Sequence, residues 1–401
     1  MKMLRLFRFR YVWSLLTLAV ALLSFGLGGI FISNRGDESD GSATTWPTII
    51  GSDKYEKTNV FLDQQLDQIY HDNKFKLDDE ESASLVRKIW ATLRPIEVSA
   101  EVKSLAAAEV TSEFEIRRLS VKIVAKTGVS LVLEAILLVP NSTPAPAVLA
   151  LHCMGSSTDA LMNNIDYHNG VGGALANAGF LTILPVRLAT QYDERYTLAK
   201  KAMLLGTTLE SIEIQQLQAL VGYVERMPEF DGELGVYGLS LGGYHALLLG
   251  AVDQRIDAAY VSGAITDRFG LLLKRYPTPA SPAGNRFTRV FWYGDFPLYF
   301  LNMGVLLDDL NLIAAVAPRP LAIETGERDL IKLSGLDQVE RQARGIYRKS
   351  CSDRNLSILR HSGGHEANAQ ATVNWFKRIL VHRNTDEPGC SLSISIEEKT
   401  E

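Results

Sequence analysis

The 401-residue sequence predicts an α/β protein built on a mainly parallel central sheet with helices on both faces. Three observations lead there. From about residue 115, short apolar runs rich in Val, Ile and Leu alternate with segments of helical period, the pattern of parallel strands covered on both sides. One such run, "LGVYG", leads into Gly238-Leu239-Ser240-Leu241-Gly242, and a small-residue helical pattern, "LGGYHALLLGA", leaves it. The composition, 46% hydrophobic and 22% charged, suits a globular protein with a sizeable core.

Taken in order, residues 1–10, "MKMLRLFRFR", carry Lys2, Arg5, Arg8 and Arg10, and residues 11–33 carry no charge. At about 1.5 Å per residue that span reaches roughly 34 Å, enough to cross a bilayer. Residues 1–33 therefore read as a cytoplasmic basic flank and an N-terminal transmembrane helix acting as a signal anchor, with everything after Ser33 on the extracytoplasmic side. The alternative is a cleaved signal peptide with a secreted or periplasmic product. "SFGLGG" offers small residues for cleavage, but the apolar run continues through "IFIS". Residues 34–56 are polar and turn-rich and read as a stalk. Residues 57–114 read as a helical lead-in, with Leu62, Leu66 and Ile69 on one helical face and Leu85, Ile89 and Leu93 on another.

Residues 115–383 form the expected catalytic domain. "RLSVKIVAKTGVSLVLEAILLVP" reads as two strands around a turn. "APAVLAL", "LTILP", "LGVYG", "IDAAYVSG", "PLAIETG" and "NLSILRH" follow as strands, with helical period around "GVGGALANAG" and "TTLESIEIQQLQALVGYVERM". An insertion at about 268–312 separates the fourth and fifth of these strands and reads as a lid. Within it, "NRFTRVFWYGDFPLYFLNMG" concentrates aromatic side chains, and Phe291, Trp292 and Tyr293 are the expected substrate contacts. A lid packed only on its own domain is an equal reading. Residues 384–401 form a C-terminal tail.

Ser240 sits where a nucleophile elbow would place it, between a strand and a helix, with glycines that give the turn clearance. A serine hydroxyl needs a base and a group that orients the base. Downstream, Asp329 lies in the loop after "PLAIETG", and His365 in the glycine-rich loop after "NLSILRH". Glu327 and Asp267 compete with Asp329 for the acid, and His361, at the strand end, competes with His365. The backbone N–H groups of Leu241 and Met154 are the expected oxyanion donors, with Cys153 as the alternative to Met154. His152, His168, His245 and His382 read as structural and His71 as a surface residue.

The net charge of −5, with no long basic run beyond the N-terminus, gives no support to nucleic-acid binding. The three cysteines, Cys153, Cys351 and Cys390, form no Cys-x-x-Cys pair, and no His/Cys spacing suits zinc, so no metal is expected. Cys351 and Cys390 lie in polar segments of an exported region. A bridge between them is one expectation and two separate thiols the other.

Residues from about 115 to 382 resemble an α/β-hydrolase, in particular the dienelactone-hydrolase and acetyl xylan esterase-like branch. The resemblance rests on "LALHCMG", "GVYGLSLGG", "APRPLAIETGERD" and "HSGGHEAN". It implies a serine carboxylic ester hydrolase that works through an acyl-enzyme on Ser240 with Asp329 and His365. It requires no cofactor, and its substrate is a small-molecule or carbohydrate ester, acetylated carbohydrate among them. Cys153 departs from the His-Gly opening usual in that loop. Two other readings stand beside it: a prolyl-oligopeptidase-like peptidase, although no repeated strands precede the domain, and a catalytically inactive binding domain, although all three catalytic positions are filled.

Overall fold

Side-chain alternation along the strands sets the architecture. On β5 (Ala145–Leu151), Ala147, Leu149 and Leu151 face one apolar layer, and Val148 and Ala150 face the other. β8 (Ala258–Ser262) and β9 (Leu321–Gly326) repeat the division, with Ala259, Val261, Leu321 and Ile323 on one side and Ala258, Tyr260 and Ala322 on the other. A strand buried on both faces carries mostly apolar side chains, which is why these runs are apolar until the buried polar residues Ser262, Glu324 and Thr325 near their carboxyl ends.

The computed structural model describes residues 79–93, 98–104, 109–267, 308–329 and 333–382, with isolated positions at 60–62, 64, 65 and 95. Apart from Val60 these lie in one unit, Phe61–Glu401. Among the described residues ten strands form one sheet, in the order β1-β3-β4-β6-β5-β7-β8-β9-β10, with β2 paired to β3. The other strands are β1 (Val98–Ser104), β2 (Glu109–Val110), β3 (Phe114–Ala125), β4 (Ser130–Pro140), β6 (Leu181–Pro185), β7 (Phe230–Leu239) and β10 (Leu356–His361). From β6 to β10 the pairings are parallel, whereas β1, β2, β3, β4 and β6 join antiparallel. The sheet is therefore mixed, which corrects the expectation of a mainly parallel one. It also begins earlier than expected, because β1 and β2 occupy part of the segment read as helical. The helix α1 (Asp79–Leu93) does form, and it buries Leu85, Ile89 and Leu93 as its period requires.

Helices cover both faces. On one side lie α1, α5 (Leu209–Val224), α6 (Leu241–Val252), α7 (Asp309–Val316) and α8 (Leu333–Lys349). On the other lie α2 (Thr158–Met162), α3 (Val171–Asn177) and α9 (Ala369–Phe376). A further helix, α4 (Tyr192–Leu204), links β6 to α5. The N-terminus of α7 is set by a reciprocal cap, Asp308 with Asn311, so residues 309–312, at the end of the expected insertion, are helical.

The register lines up the strand ends that matter. Leu151 pairs with Gly238, Leu239 with Ser262, Ser262 with Glu324, and Gly326 with His361. The loops that follow β5, β7, β8, β9 and β10 thus leave from one edge, the carboxyl ends of parallel strands, where α/β sheets place their sites. Among the described residues no helix is long and apolar enough to cross a membrane. The expected anchor at 1–33, the stalk, the lid aromatics and the C-terminal tail lie outside the described residues. Cys351 is disulfide-bonded and Cys153 is a buried free thiol; Cys390 also lies outside the described residues.

Candidate active site

β7 ends at Leu239 and α6 starts at Leu241, so Ser240 alone makes the turn between them. Its backbone sits at φ 58°, ψ −119°, a conformation that L-residues rarely adopt and that must be held by its surroundings. The holding contacts are identifiable. The Ser240 N–H donates to the Ser262 carbonyl of β8 at 2.8 Å. A Cβ on Gly242 would fall 2.1 Å from the Leu151 carbonyl oxygen, and one on Gly238 would fall 2.0 Å from the Gly242 oxygen. The turn is packed too closely for any side chain at either glycine.

After β9 the chain turns at once, with the Asp329 N–H donating to the Gly326 carbonyl. The Glu327 and Arg328 N–H groups donate to the His361 and Gly363 carbonyls, which ties this loop to the one after β10. The outcome is a hydrogen bond of 2.7 Å between His365 Nδ1 and Asp329 Oδ1. The Asp329 side chain is 2% exposed and His365 18%, so the acid is enclosed while the imidazole reaches the surface. Gly263 fits against this pair. At φ +54°, its missing Cβ would lie 3.0 Å from His365 Cε1 and 3.2 Å from Asp329 Oδ2. Ser262 and Gly263, adjacent in sequence, thus touch the Ser240 turn on one side and the Asp329–His365 pair on the other. Of the rivals, Glu327 is exposed, Asp267 is buried beyond the end of β8, and His361 closes β10 with its Nδ1 accepting from the Gly363 N–H.

The loop after β5 has nearly every peptide group tied. The His152 carbonyl accepts from Arg187 Nη1 at 3.1 Å, and the Cys153 N–H donates to His168 Nε2 at 3.1 Å. The Cys153 carbonyl accepts from His152 Nδ1 at 2.8 Å. The Met154 carbonyl accepts from Tyr167 Oη at 3.1 Å, and the Gly155 N–H donates to the Thr190 carbonyl at 2.9 Å. The Met154 N–H is left without a partner among the described residues. A trans peptide points its N–H opposite to its C=O, so the His152 contact on the Cys153 oxygen also fixes the direction of the Met154 N–H. Leu241, as the first residue of α6, carries one of the N–H groups that a helix leaves unbonded. Cys153, the alternative donor, has its N–H occupied, and burial pushes its thiol up to about 11, so it is not a reactive thiolate either.

A buried ionic cluster lies behind this loop. Arg195 grips Glu213 with two bonds of 2.8 and 2.9 Å, and Arg187 Nη2 lies 3.5 Å from the same carboxylate. Arg187 also contacts His245 Nδ1, and His245 Nε2 lies 3.3 Å from Glu213 Oε2. A guanidinium only donates, so His245 Nδ1 accepts and Nε2 carries the hydrogen toward Glu213. Burial, reinforced by Arg187, holds His245 well below the ordinary histidine range. Burial works against the Glu213 charge, but Arg195 and Arg187 outweigh it and keep the carboxylate ionised. Burial and Arg187 likewise push His152 down to about 3. Arg187 therefore links the loop after β5 to the helix that follows Ser240. None of Arg187, Arg195 or Glu213 stands out in the sequence, because each is an isolated charge in an otherwise ordinary segment.

Residues 133–262, from β4 to the end of β8, match the model of the dienelactone hydrolase family. The fold is that of an α/β-hydrolase. Solved structures share this fold. A structure assigned to an acetyl xylan esterase of Bacteroides fragilis NCTC 9343 superposes with a TM-score of 0.54 at 14% identity, over 70% of this chain and 74% of that one. A methylesterase gives 0.56 at 14% identity, over 79% and 68%. A glucuronoyl esterase of Solibacter usitatus gives 0.54 at 13% identity, over 75% and 92%. The curated proteins include no match. In this hydrolase fold, the β7–α6 turn and the loops after β5, β8, β9 and β10 all converge at one edge of the sheet.

Proposed function

We infer that this chain is a serine carboxylic ester hydrolase. The observation that carries the reading is the Asp329–His365 hydrogen bond beside the strained turn that presents Ser240. The Met154 N–H, without a partner among the described residues, the dienelactone hydrolase match and the esterase names of the structural neighbours support it.

The chemistry follows the balance of protons. With Asp329 on Nδ1, the His365 imidazole is oriented so that Nε2 takes the proton from Ser240 Oγ as that oxygen attacks the ester carbonyl. The carbonyl oxygen becomes an oxyanion facing the N–H groups of Leu241 and Met154. The C–O bond to the alcohol breaks and the departing alkoxide takes the proton from His365. A water then gives a proton to His365, attacks the acyl-enzyme, and Ser240 leaves with the proton restored. The carboxylic acid is released and no cofactor takes part.

The substrate we assign is an ester on carbohydrate, an acetyl ester among the candidates, by analogy with what the neighbouring structures are named for. Phe291, Trp292 and Tyr293 of the insertion are assigned to the substrate pocket. We assign the apolar span at 11–33 to a membrane anchor, with the domain on the extracytoplasmic side. The test is to purify the full chain in detergent and assay it on short- to long-chain esters and acetylated sugars, beside Ser240→Ala. The variant should lose on the order of 10⁴–10⁶ in kcat while keeping its fold. Equal turnover by the variant would end the ester-hydrolase reading.

A further inference from the structure

The stretch Asp166-Tyr167-His168-Asn169 lies between the two loops that the mechanism needs to hold still. On one side, His168 Nε2 takes the Cys153 N–H and Tyr167 Oη donates to the Met154 carbonyl. On the other, the Tyr167 carbonyl accepts from the Ala367 N–H, and Asn169 Nδ2 donates to the Ala367 carbonyl at 2.8 Å. Ala367 lies just after His365. One short segment therefore sets both the loop after β5 and the loop that carries the base.

His168 is fully buried, and its tautomer is forced. A backbone N–H can only donate, so the Nε2 facing Cys153 must be bare and the hydrogen of the neutral ring must sit on Nδ1. There it faces Asp166 Oδ1 at 3.0 Å and Ser156 Oγ at 3.1 Å. Asp166 is itself fixed, accepting from Ser156 Oγ at 2.7 Å and from the His168 N–H at 2.7 Å. Burial, and the nearby His365, hold the His168 cation off, while Asp166 works in the opposite direction. A cationic ring would offer a donor to the Cys153 N–H and lose the contact. The turn that follows is tight: Asn169 has φ 50° and Gly170 φ 60°, and a Cβ on Gly170 would meet the Asn164 backbone nitrogen at 3.0 Å.

Resting on the ester-hydrolase reading, we propose that His168, oriented by Asp166, is a positioning residue that holds the Cys153 peptide so that the Met154 N–H faces the oxyanion. By taking the Cys153 N–H, it removes the competing donor and leaves the neighbouring peptide to serve. It does not touch the substrate. Its effect is on the stabilisation of the transition state and not on ground-state binding.

The full chain is assayed with His168→Leu, which removes the acceptor, and His168→Gln, whose side-chain oxygen restores one near the Nε2 position. His168→Leu should lower kcat on the order of 10–100-fold, short of the loss from deleting an oxyanion donor outright, with KM within about twofold. His168→Gln should recover most of that loss. A Leu variant at wild-type kcat, a change carried by KM, or a Gln variant as impaired as Leu would overturn the proposal. If His168→Leu fails to fold, nitrogen-15 NMR of histidine-labelled wild type, with His168→Gln as the assignment control, still decides. At neutral pH the His168 signal should show a protonated Nδ1 and a bare Nε2, and a protonated Nε2 would overturn the proposal. A wild type inert to every ester would overturn the functional reading and this proposal together, whereas an active wild type with an unaffected Leu variant overturns this proposal alone.

Discussion

Ser240, Gly263 and Asp329 show how much of the site rests on single residues. Ser240 occupies φ 58° because the glycines at 238 and 242 let strand, turn and helix interpenetrate. Gly263 has the opposite task of staying small next to the Asp329–His365 pair. Gly263→Ala should therefore reduce turnover on the order of 10²-fold through displacement of the imidazole, with a smaller loss of stability from its positive φ. Steady-state kinetics beside a thermal melt checks this, and unchanged kinetics would show that the ring accommodates a methyl group. The acid can be tested in the same way. Asp329→Asn should cost about 10⁴-fold in kcat, because an amide favours the wrong histidine tautomer, while Asp267→Asn should cost far less. The reverse ranking would move the acid to the loop after β8.

At the scale of elements, α5 and α6 are buried to an unusual degree and carry charge into that burial. α6 is apolar almost throughout, with its residues from Leu241 to Ala251 all buried, so His245 has no water to satisfy it and depends on Arg187 and Glu213. On α5, Glu213 is matched by two arginines, whereas Glu210 pairs with Arg195 at the longer distance of 3.7 Å. Burial pushes the Glu210 carboxyl up to about 7, with Arg195 opposing. An acid with a raised folded pKa loses its proton first in the unfolded chain, so its contribution to stability falls as pH rises from about 4 to about 7 and is level above that. Glu210→Gln removes this cost. It should be more stable than wild type at pH 8 on the order of 1–3 kcal/mol, with the gap closing toward pH 4. Urea melts at the two pH values measure it, and a gap that does not change with pH would mean Glu210 is ionised in the folded protein.

At the scale of the whole molecule, the antiparallel end of the sheet, β1 to β4, extends the parallel part from β6 to β10 and carries none of the candidate catalytic residues. The loops that carry the candidate catalytic residues are all on the parallel part, where strand ends share one edge. If residues 11–33 anchor the chain, the full-length protein should stay with membranes through a high-salt wash and leave them only in detergent, because an apolar span is held by burial and not by charge. Release by salt alone would remove the anchor, and a mature N-terminus near Gly28 or Ser33 would point to a cleaved signal peptide.

Read along the chain, local chemistry determined a great deal. The strand from Phe230 to Leu239, the serine turn and the helix from Leu241 lie within some twenty residues, and glycine spacing with apolar periodicity marks all three. The strands at Leu321–Gly326 and Leu356–His361, and the loops that carry Asp329 and His365, are legible for the same reason. The strands at Val98–Ser104 and Glu109–Val110 were not, because their residues are largely polar and exposed and pair only once Phe114–Ala125 is in place. The sequence favoured Asp329 and His365 over Asp267 and His361, but it did not show that the two side chains meet, nor the grip of Arg187 on His152 and His245 or that of His168 on Cys153. Each depends on groups from different elements meeting within hydrogen-bond distance: Asp329 and His365 are 36 residues apart, and Arg187 and His245 are 58 apart. Periodicity and turn chemistry act over one element, whereas a buried polar group must find its partner wherever the packed fold has brought one.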